Sequence, residues 1–340
     1  MFEDFNLTEE KFVISEAQMQ EIYDKESLWI WVPKIYGGLG CNFAQGLQIL
    51  YDWAKKDGSL GWMITLCSGA NYFSRNLKPE VAMLIFNNKK TCFGGSGMIG
   101  GTAEILDDKT YLINGLWRYA TGAPHLTHFT LNAIITENGI PIKDNDNNEV
   151  VRSFVIPKDK IAVIPDWKSM GMKSTGTYSF SVENVEVGAD YSFVYNEFFS
   201  DDVMDKIPFR VFADLTLLVN YLGLADHFMK EAEKLRPQLD LKTFKTSIEY
   251  HLSIVFDYAR DVENILSHHD VVSEEKQKQI HQYGVDLVQN LSSQIISIYR
   301  QLGISATDTK SEVYKIFCDY FTAAMHANFR KAAAEVDFSF

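Results

Sequence analysis

None of the common self-sufficient site motifs is present: there is no phosphate-binding GxxxxGK, no HExxH, no GxSxG and no paired His/Cys spacing of metal type. Any chemistry must therefore come from a dispersed set of side chains. Toward the end of the chain, Lys315, Asp319, Thr322 and His326 fall within ~40° of one line on a helix, with Val313 and Phe317 facing away. That spacing predicts a polar stripe carrying an imidazole, a group able to take or return a proton near neutral pH because its unperturbed pKa is ~6.5. Thr121, taken alone, reads as a strand residue before a tight glycine turn at Gly122. His268 and His269 are adjacent and would point about 100° apart on a helix, so they read as a solvated helix end. His251 and His281 read as residues on the surface of a helix bundle.

The frame that must position such groups is an ordinary globular chain. Its 340 residues are 46% hydrophobic and 23% charged, which excludes collagen-like, low-complexity and disordered classes. Thirty-two basic against 45 acidic residues give a formal charge of −13, a field that repels a phosphate backbone. The stretch Met1 to Glu16 is acidic and lacks a basic leader, so secretion is not expected. The most apolar run, Val211 to Leu224, is broken by Asp214, Thr216 and Asn220 and is too short to span a bilayer. Cys41, Cys67, Cys92 and Cys318 are scattered, without a CxxC pair, as suits reduced thiols. The expected compartment is the cytoplasm.

Periodicity divides the chain into three zones, with expected boundaries 1–90, 91–200 and 201–340. In the first, Ser15 with Gln18 and Asn42 with Gln45 read as capping boxes, and Phe43, Leu47, Leu50 and Ala54 recur at helical steps. In the second, short runs such as Leu131 to Thr136, Ser153 to Ile156 and Phe180 to Val187 predict an antiparallel barrel or sandwich. In the third, Ser273 followed by two glutamates starts a helix whose apolar seam runs from Ile280 to Leu302, ~30 residues and ~45 Å long. With helices over Phe209 to Lys234, Phe244 to Leu266 and Ser311 to Val336 it predicts a four-helix bundle. The fold class is therefore α+β, ordered as helical domain, β domain and helix bundle.

Two ordered motifs in the first zone, Pro33-Lys34-Ile35-Tyr36-Gly37-Gly38-Leu39-Gly40 and Asp57-Gly58-Ser59-Leu60-Gly61-Trp62, resemble segments of the acyl-CoA dehydrogenase superfamily at matching spacing. The resemblance runs from about Trp31 almost to Phe340. In the β zone, Gly94-Gly95-Ser96-Gly97, Gly101-Thr102-Ala103 and Asn114 to Gly122, with Pro165-Asp166-Trp167 and Gly171 to Thr177, resemble the superfamily's flavin-facing strands. Trp117-x-x-Ala120-Thr121-Gly122 is most similar to the group D flavin monooxygenases, the oxygenase components of two-component systems. Tyr314 to Asn328 resembles the closing Arg-Asp-x6-His segment, with Cys318 where the family has arginine.

The resemblance implies a site. A flavin needs polar contacts at its ring edge and an apolar slot for the ring, and the family places a hydroxyl able to donate near N5 where Thr121 stands. His326 stands where the monooxygenase branch keeps a histidine that stabilises a peroxyflavin or accepts a substrate proton. Gly94, Ser96, Trp117, Gly122, Trp167 and Thr175 join Thr121 as implied cofactor-binding residues, with the two tryptophans packing on the ring. The implied activity is hydroxylation of a small, possibly aromatic substrate by FAD or FMN supplied reduced by a separate reductase, in a homodimer or homotetramer. The glutamate base of true acyl-CoA dehydrogenases has no match, since only Glu335 follows His326. Two other readings stay open: an acyl-CoA dehydrogenase using another carboxylate, Asp214 or Asp226, and a non-catalytic homologue serving as a binding module.

Overall fold

A computed structural model describes residues 14–329. Four helices come first: α1 (Glu16–Asp24), α2 (Phe43–Lys56), α3 (Gly58–Asn71) and α4 (Pro79–Phe86). Both capping boxes form, so the first-turn amides of α1 and α2 are satisfied by Ser15 with Gln18 and by Asn42 with Gln45. Asp57 caps α3 through the Leu60 amide. At the far end of α3, buried Asn71 donates to the Leu28 carbonyl and accepts from the Phe93 amide, both at 2.8 Å. One side chain thus ties the helices to the first strand.

Eight strands follow: β1 (Phe93–Asp107), β2 (Thr110–Ala120), β3 (His128–Glu137), β4 (Ile140–Pro141), β5 (Val151–Pro157), β6 (Ala162–Ile164), β7 (Tyr178–Gly188) and β8 (Ser192–Phe193). They make one sheet in the order β6-β7-β2-β1-β3-β5-β8, with β4 on β3. The expected all-antiparallel pairing is corrected here: β1 and β3 run parallel, from Phe93 opposite His128 to Glu104 opposite Thr136. A two-residue hairpin cannot produce that pairing; β2 lies outside β1, and the connection from Thr121 to Thr127 carries the chain back past it. The polar stretch Lys143 to Glu149 closes as a tip, bridged between its two ends.

The last helices are α5 (Phe209–Leu235), α6 (Lys242–Ser267), α7 (Glu274–Leu302) and α8 (Glu312–Ala323). Helix α5 is buried nearly all round, packed against α2, α3, α6, α7 and α8. Aromatic rings fill the join between the first and last helices, with Phe212 stacked on Tyr72 at 4.4 Å and edge-on to Trp31 at 5.1 Å. The fourth helix is shorter than its sequence suggested. It ends at Ala323, and the chain turns through Ala324 to His326 before a short 3-10 turn at Ala327–Phe329. His326 is therefore off the helix, not on the stripe of Lys315, Asp319 and Thr322, and the remainder of the expected helix to Val336 lies outside the described residues, as does Glu335. Among the described residues no helix is long and apolar enough to cross a membrane, and the four cysteines are free thiols.

Candidate functional site

Where α3, β1, β3 and α5 meet, a cleft of about 200 Å³ opens. Its walls are mostly apolar: Leu66 and Ala70 from α3, Leu131 from β3, and Phe209, Phe212 and Leu217 from α5. Phe73 and Tyr195 stack in parallel at 5.0 Å along one side, and Phe209 packs on Tyr195 at 4.9 Å. Tyr195 is buried with its hydroxyl 3.3 Å from Asn132, and burial raises its pKa.

Glycine shapes two of the surfaces. A Cβ on Gly95 would lie 1.8 Å from the Thr130 carbonyl oxygen, so the close parallel approach of β1 to β3 requires glycine there. Gly97 and Gly69 differ, because a Cβ on either would meet nothing closer than 3.9 Å. Together with Gly94 and Ser96 they give the cleft flat surfaces against which a planar ring can lie.

Thr121 reaches the cleft from the end of β2. There the register against β7 slips between Trp117 and Ala120, Tyr119 takes a left-handed φ of 69°, and Gly122 follows at 78°. Behind Thr121 runs a chain of hydroxyls: Thr121 Oγ1 is 3.2 Å from Thr177 Oγ1, which is 2.7 Å from Thr175 Oγ1, which donates to the Met172 carbonyl at 2.7 Å. Each hydroxyl has one proton. Thr175 spends its own on Met172, so Thr177 donates to Thr175 and Thr121 donates to Thr177. If every bond of the chain is made, that order leaves Thr121 with lone pairs toward the cleft. An acceptor suits a ring N–H.

His326 lies on the same cleft, edge-on to Trp62 of α3 at 5.6 Å between ring centroids. The two groups on which the sequence reading depends, the sheet hydroxyl and the imidazole, thus share one cavity. Gly94 and Ser96 share it too. The other implied contacts do not. Trp117 is 1% exposed, stacked on Phe180 at 5.5 Å and donating to the Asn132 carbonyl; Gly100, Gly101 and Gly115 make room for its ring. It is a core residue of the sheet. Trp167 donates to the Met172 carbonyl at 2.9 Å, so it braces the end of the hydroxyl chain rather than facing the cleft. Thr175 is the buried link behind Thr121, and Gly122 is pressed against Cys67, where a Cβ would come within 2.9 Å of the sulfur.

A cluster of charged groups joins the loop that ends this chain to α8. Asp319 accepts from the Met172 amide at 2.5 Å, and Thr322 accepts from the Gly171 amide at 3.0 Å. Burial pushes the Asp319 carboxyl up to about 6, against the opposing pull of the Met172 amide. Nearby Asp57 goes the other way: burial works against its charge, but Lys315 at 2.9 Å and the Leu60 amide hold it below the usual carboxylate range.

Sequence reasoning missed Asn328, which lines the cleft, and misplaced His281, which is buried and 3.2 Å from both carboxyl oxygens of Asp214. The spacing of His281 one residue after Ile280, on the edge of the seam, was the available signal. Of the alternative bases, Asp214 is fully buried and bonded to Asn328 and His281, while Asp226 accepts from Tyr51 and pairs with Lys55 at 2.7 Å. Neither lines the cleft.

No protein-family profile matches the chain. Among curated proteins it is 29% identical over 195 residues to an indole-3-acetate monooxygenase of Pseudomonas putida, a match covering 57% of this chain and 48% of that one. It is 23% identical over 155 residues to the flavin-dependent monooxygenase oxygenase subunit HsaA of Mycobacterium tuberculosis, covering 46% and 38%. The chain spans about half the length of the curated relatives it matches. Solved structures align over far more of it. The HsaA monooxygenase from M. tuberculosis superposes with a TM-score of 0.83 at 16% identity, over 93% of this chain and 88% of that one. TdsC from Paenibacillus sp. A11-2, in its complex with FMN and indole, gives 0.74 at 19% identity over 91% and 86%. The fold is that of these solved monooxygenase structures, and the curated relatives named above are monooxygenases, one of them a flavin-dependent oxygenase subunit.

Proposed function

We propose that this homologue of flavin-dependent oxygenase subunits is itself a monooxygenase, using FAD or FMN supplied reduced by a separate reductase to hydroxylate a small aromatic substrate. The observation that carries the reading is the convergence of Thr121 and His326 on one apolar cleft. The residues fit the ring of a flavin: the glycine surfaces at Gly69 and Gly97 leave it room, Ser96 and Thr121 offer polar edges, and aromatic side chains supply the slot. Reduced flavin, when bound, supplies the two electrons with which one atom of O2 enters the substrate and the other leaves as water.

The chain's own residues do the rest. Thr121 accepts at the ring edge, with its proton committed to Thr177. His326, on the same cleft, takes or returns a proton at an imidazole nitrogen. Leu66, Phe73, Phe209 and Phe212 bind the aromatic substrate and keep water from the reacting atoms. Among the described residues the dehydrogenase reading lacks a carboxylate on the cleft, since Asp214 and Asp226 are both engaged elsewhere.

The test combines the purified chain with a general flavin reductase, NADH, and either FMN or FAD, and offers indole and related one- and two-ring arenes. Oxygenated product in place of free hydrogen peroxide is the expected result. Absence of flavin binding at ~100 μM by calorimetry, in both oxidation states, ends the proposal.

A further inference from the structure

The turn that carries His326 is closed by two backbone bonds, Met325 N–H to the Thr322 carbonyl at 3.2 Å and His326 N–H to the Ala323 carbonyl at 2.9 Å, and side chains of other helices pack around it. Asp214, in the second turn of α5, is fully buried without lining the cleft. Its Oδ1 accepts from Asn328 Nδ2 at 2.7 Å, and His281 Nδ1 on α7 lies 3.2 Å from both its oxygens. Phe329 lies over the His281 ring, 27° from parallel at 5.7 Å, and sits on Gly284, where a Cβ would fall 2.3 Å from the phenyl edge. Two turns further along α5, Tyr221 donates to the Ala323 carbonyl at 2.8 Å and meets Phe329 edge-on. A buried carboxyl left without partners is costly, and here every partner comes from the turn or from α7.

We propose that Asp214 and His281, with the gap at Gly284, form a clasp whose task is to position His326. Asp214 grips Asn328 and Gly284 receives Phe329, so the second and third residues after the imidazole are held from both sides. The clasp also reaches the ring itself, because the Asn328 amide donates to His326 Nδ1 at a long 3.4 Å. Asp214 and His281 are positioning residues, and their importance to turnover rests on the reading of His326 given above.

The test measures the rate at which diethyl pyrocarbonate modifies His326 in the flavin-free chain, resolved by peptide mass spectrometry, with His251 as internal reference. Asp214→Ala and Gly284→Ala are each expected to raise the His326 rate at least threefold while His251 stays unchanged. Asp214→Asn keeps an oxygen facing Asn328 and is expected to stay within twofold of the parent. If Asp214→Ala does not fold, Gly284→Ala decides alone. An unchanged His326 rate in the folded disruptive variants overturns the clasp. Should the parent prove inactive with reduced flavin, the proposed function fails, whereas the modification rates still decide the clasp. If it is active, the disruptive variants are expected to lose kcat with KM for the arene nearly unchanged.

Discussion

The two walls of the cleft are built in opposite ways. Thr121 is fixed by the sheet and the loop before β7: the slip at Tyr119, the turn at Gly122, and a hydroxyl chain through Thr177 and Thr175. His326 hangs from a turn held by residues about 40 to 110 positions away, on α5 and α7. The first wall is specified by strand pairing and glycine placement. The second depends on helices closing around it. A reactive group on the first should feel changes in the sheet and in the 171–177 loop, and one on the second changes in α5 and α7.

Three measurements break or sharpen that contrast. The largest effect is expected from the imidazole itself: His326→Ala should lower product formation with reduced flavin by ~10²–10⁴-fold, the usual yield of a proton-transfer group. Thr121→Val should cost less, since it removes one acceptor from an otherwise intact wall. Equal losses would erase the distinction.

The next concerns Asp319, which ties α8 to the Met172 loop behind Thr121. Its folded pKa of about 6 lies above the ordinary 3.8. The folded chain thus holds that proton more tightly than the unfolded chain, and the contribution is full below pH ~4 and lost as pH rises through 6, on the order of 3 kcal/mol in all. Asp319→Asn keeps an acceptor for the Met172 amide without the charge. Its stability relative to the parent should therefore grow by on the order of 1–3 kcal/mol between pH 4.5 and 7.5, measured by urea unfolding. A difference that stays flat across that range refutes the assignment.

The smallest effect is expected at Thr177. Replacing it by valine deletes the acceptor for the Thr121 proton, at about 1 kcal/mol of stability, and frees that proton to turn toward the cleft. The affinity ratio of reduced to oxidised flavin should fall, as read by calorimetry of the two forms. A ratio that is unmoved would show that the hydroxyl chain has no say in the polarity of Thr121.

The same contrast explains what could be read from the chain before its structure. Capping boxes at Ser15 and Asn42, the strand runs around Leu131, Ser153 and Phe180, and the seam from Ile280 to Leu302 are local signals, and each has its element. Thr121, named from the segment Asn114 to Gly122, and His326, named from the closing segment, both line one cleft. Local pattern could not show that β1 pairs in parallel with β3, because pairing direction depends on how the intervening chain returns. Trp117 carried the same motif whether its ring met a ligand or three glycines of its own sheet. His326 kept helical spacing although the helix had already ended at Ala323. His281 looked superficial because its partner is 67 residues away.

At Gly171 the loop lies directly on α8, where a Cβ would stand 2.1 Å from the carbonyl of Cys318. Backbone rests on backbone, with no side chain between to flex or absorb a shift. A displacement of α8 is therefore handed on undamped through Met172 to the carbonyl that anchors the threonines. The seat of the threonine chain is thus set by the position of α8, a helix that does not itself line the cleft.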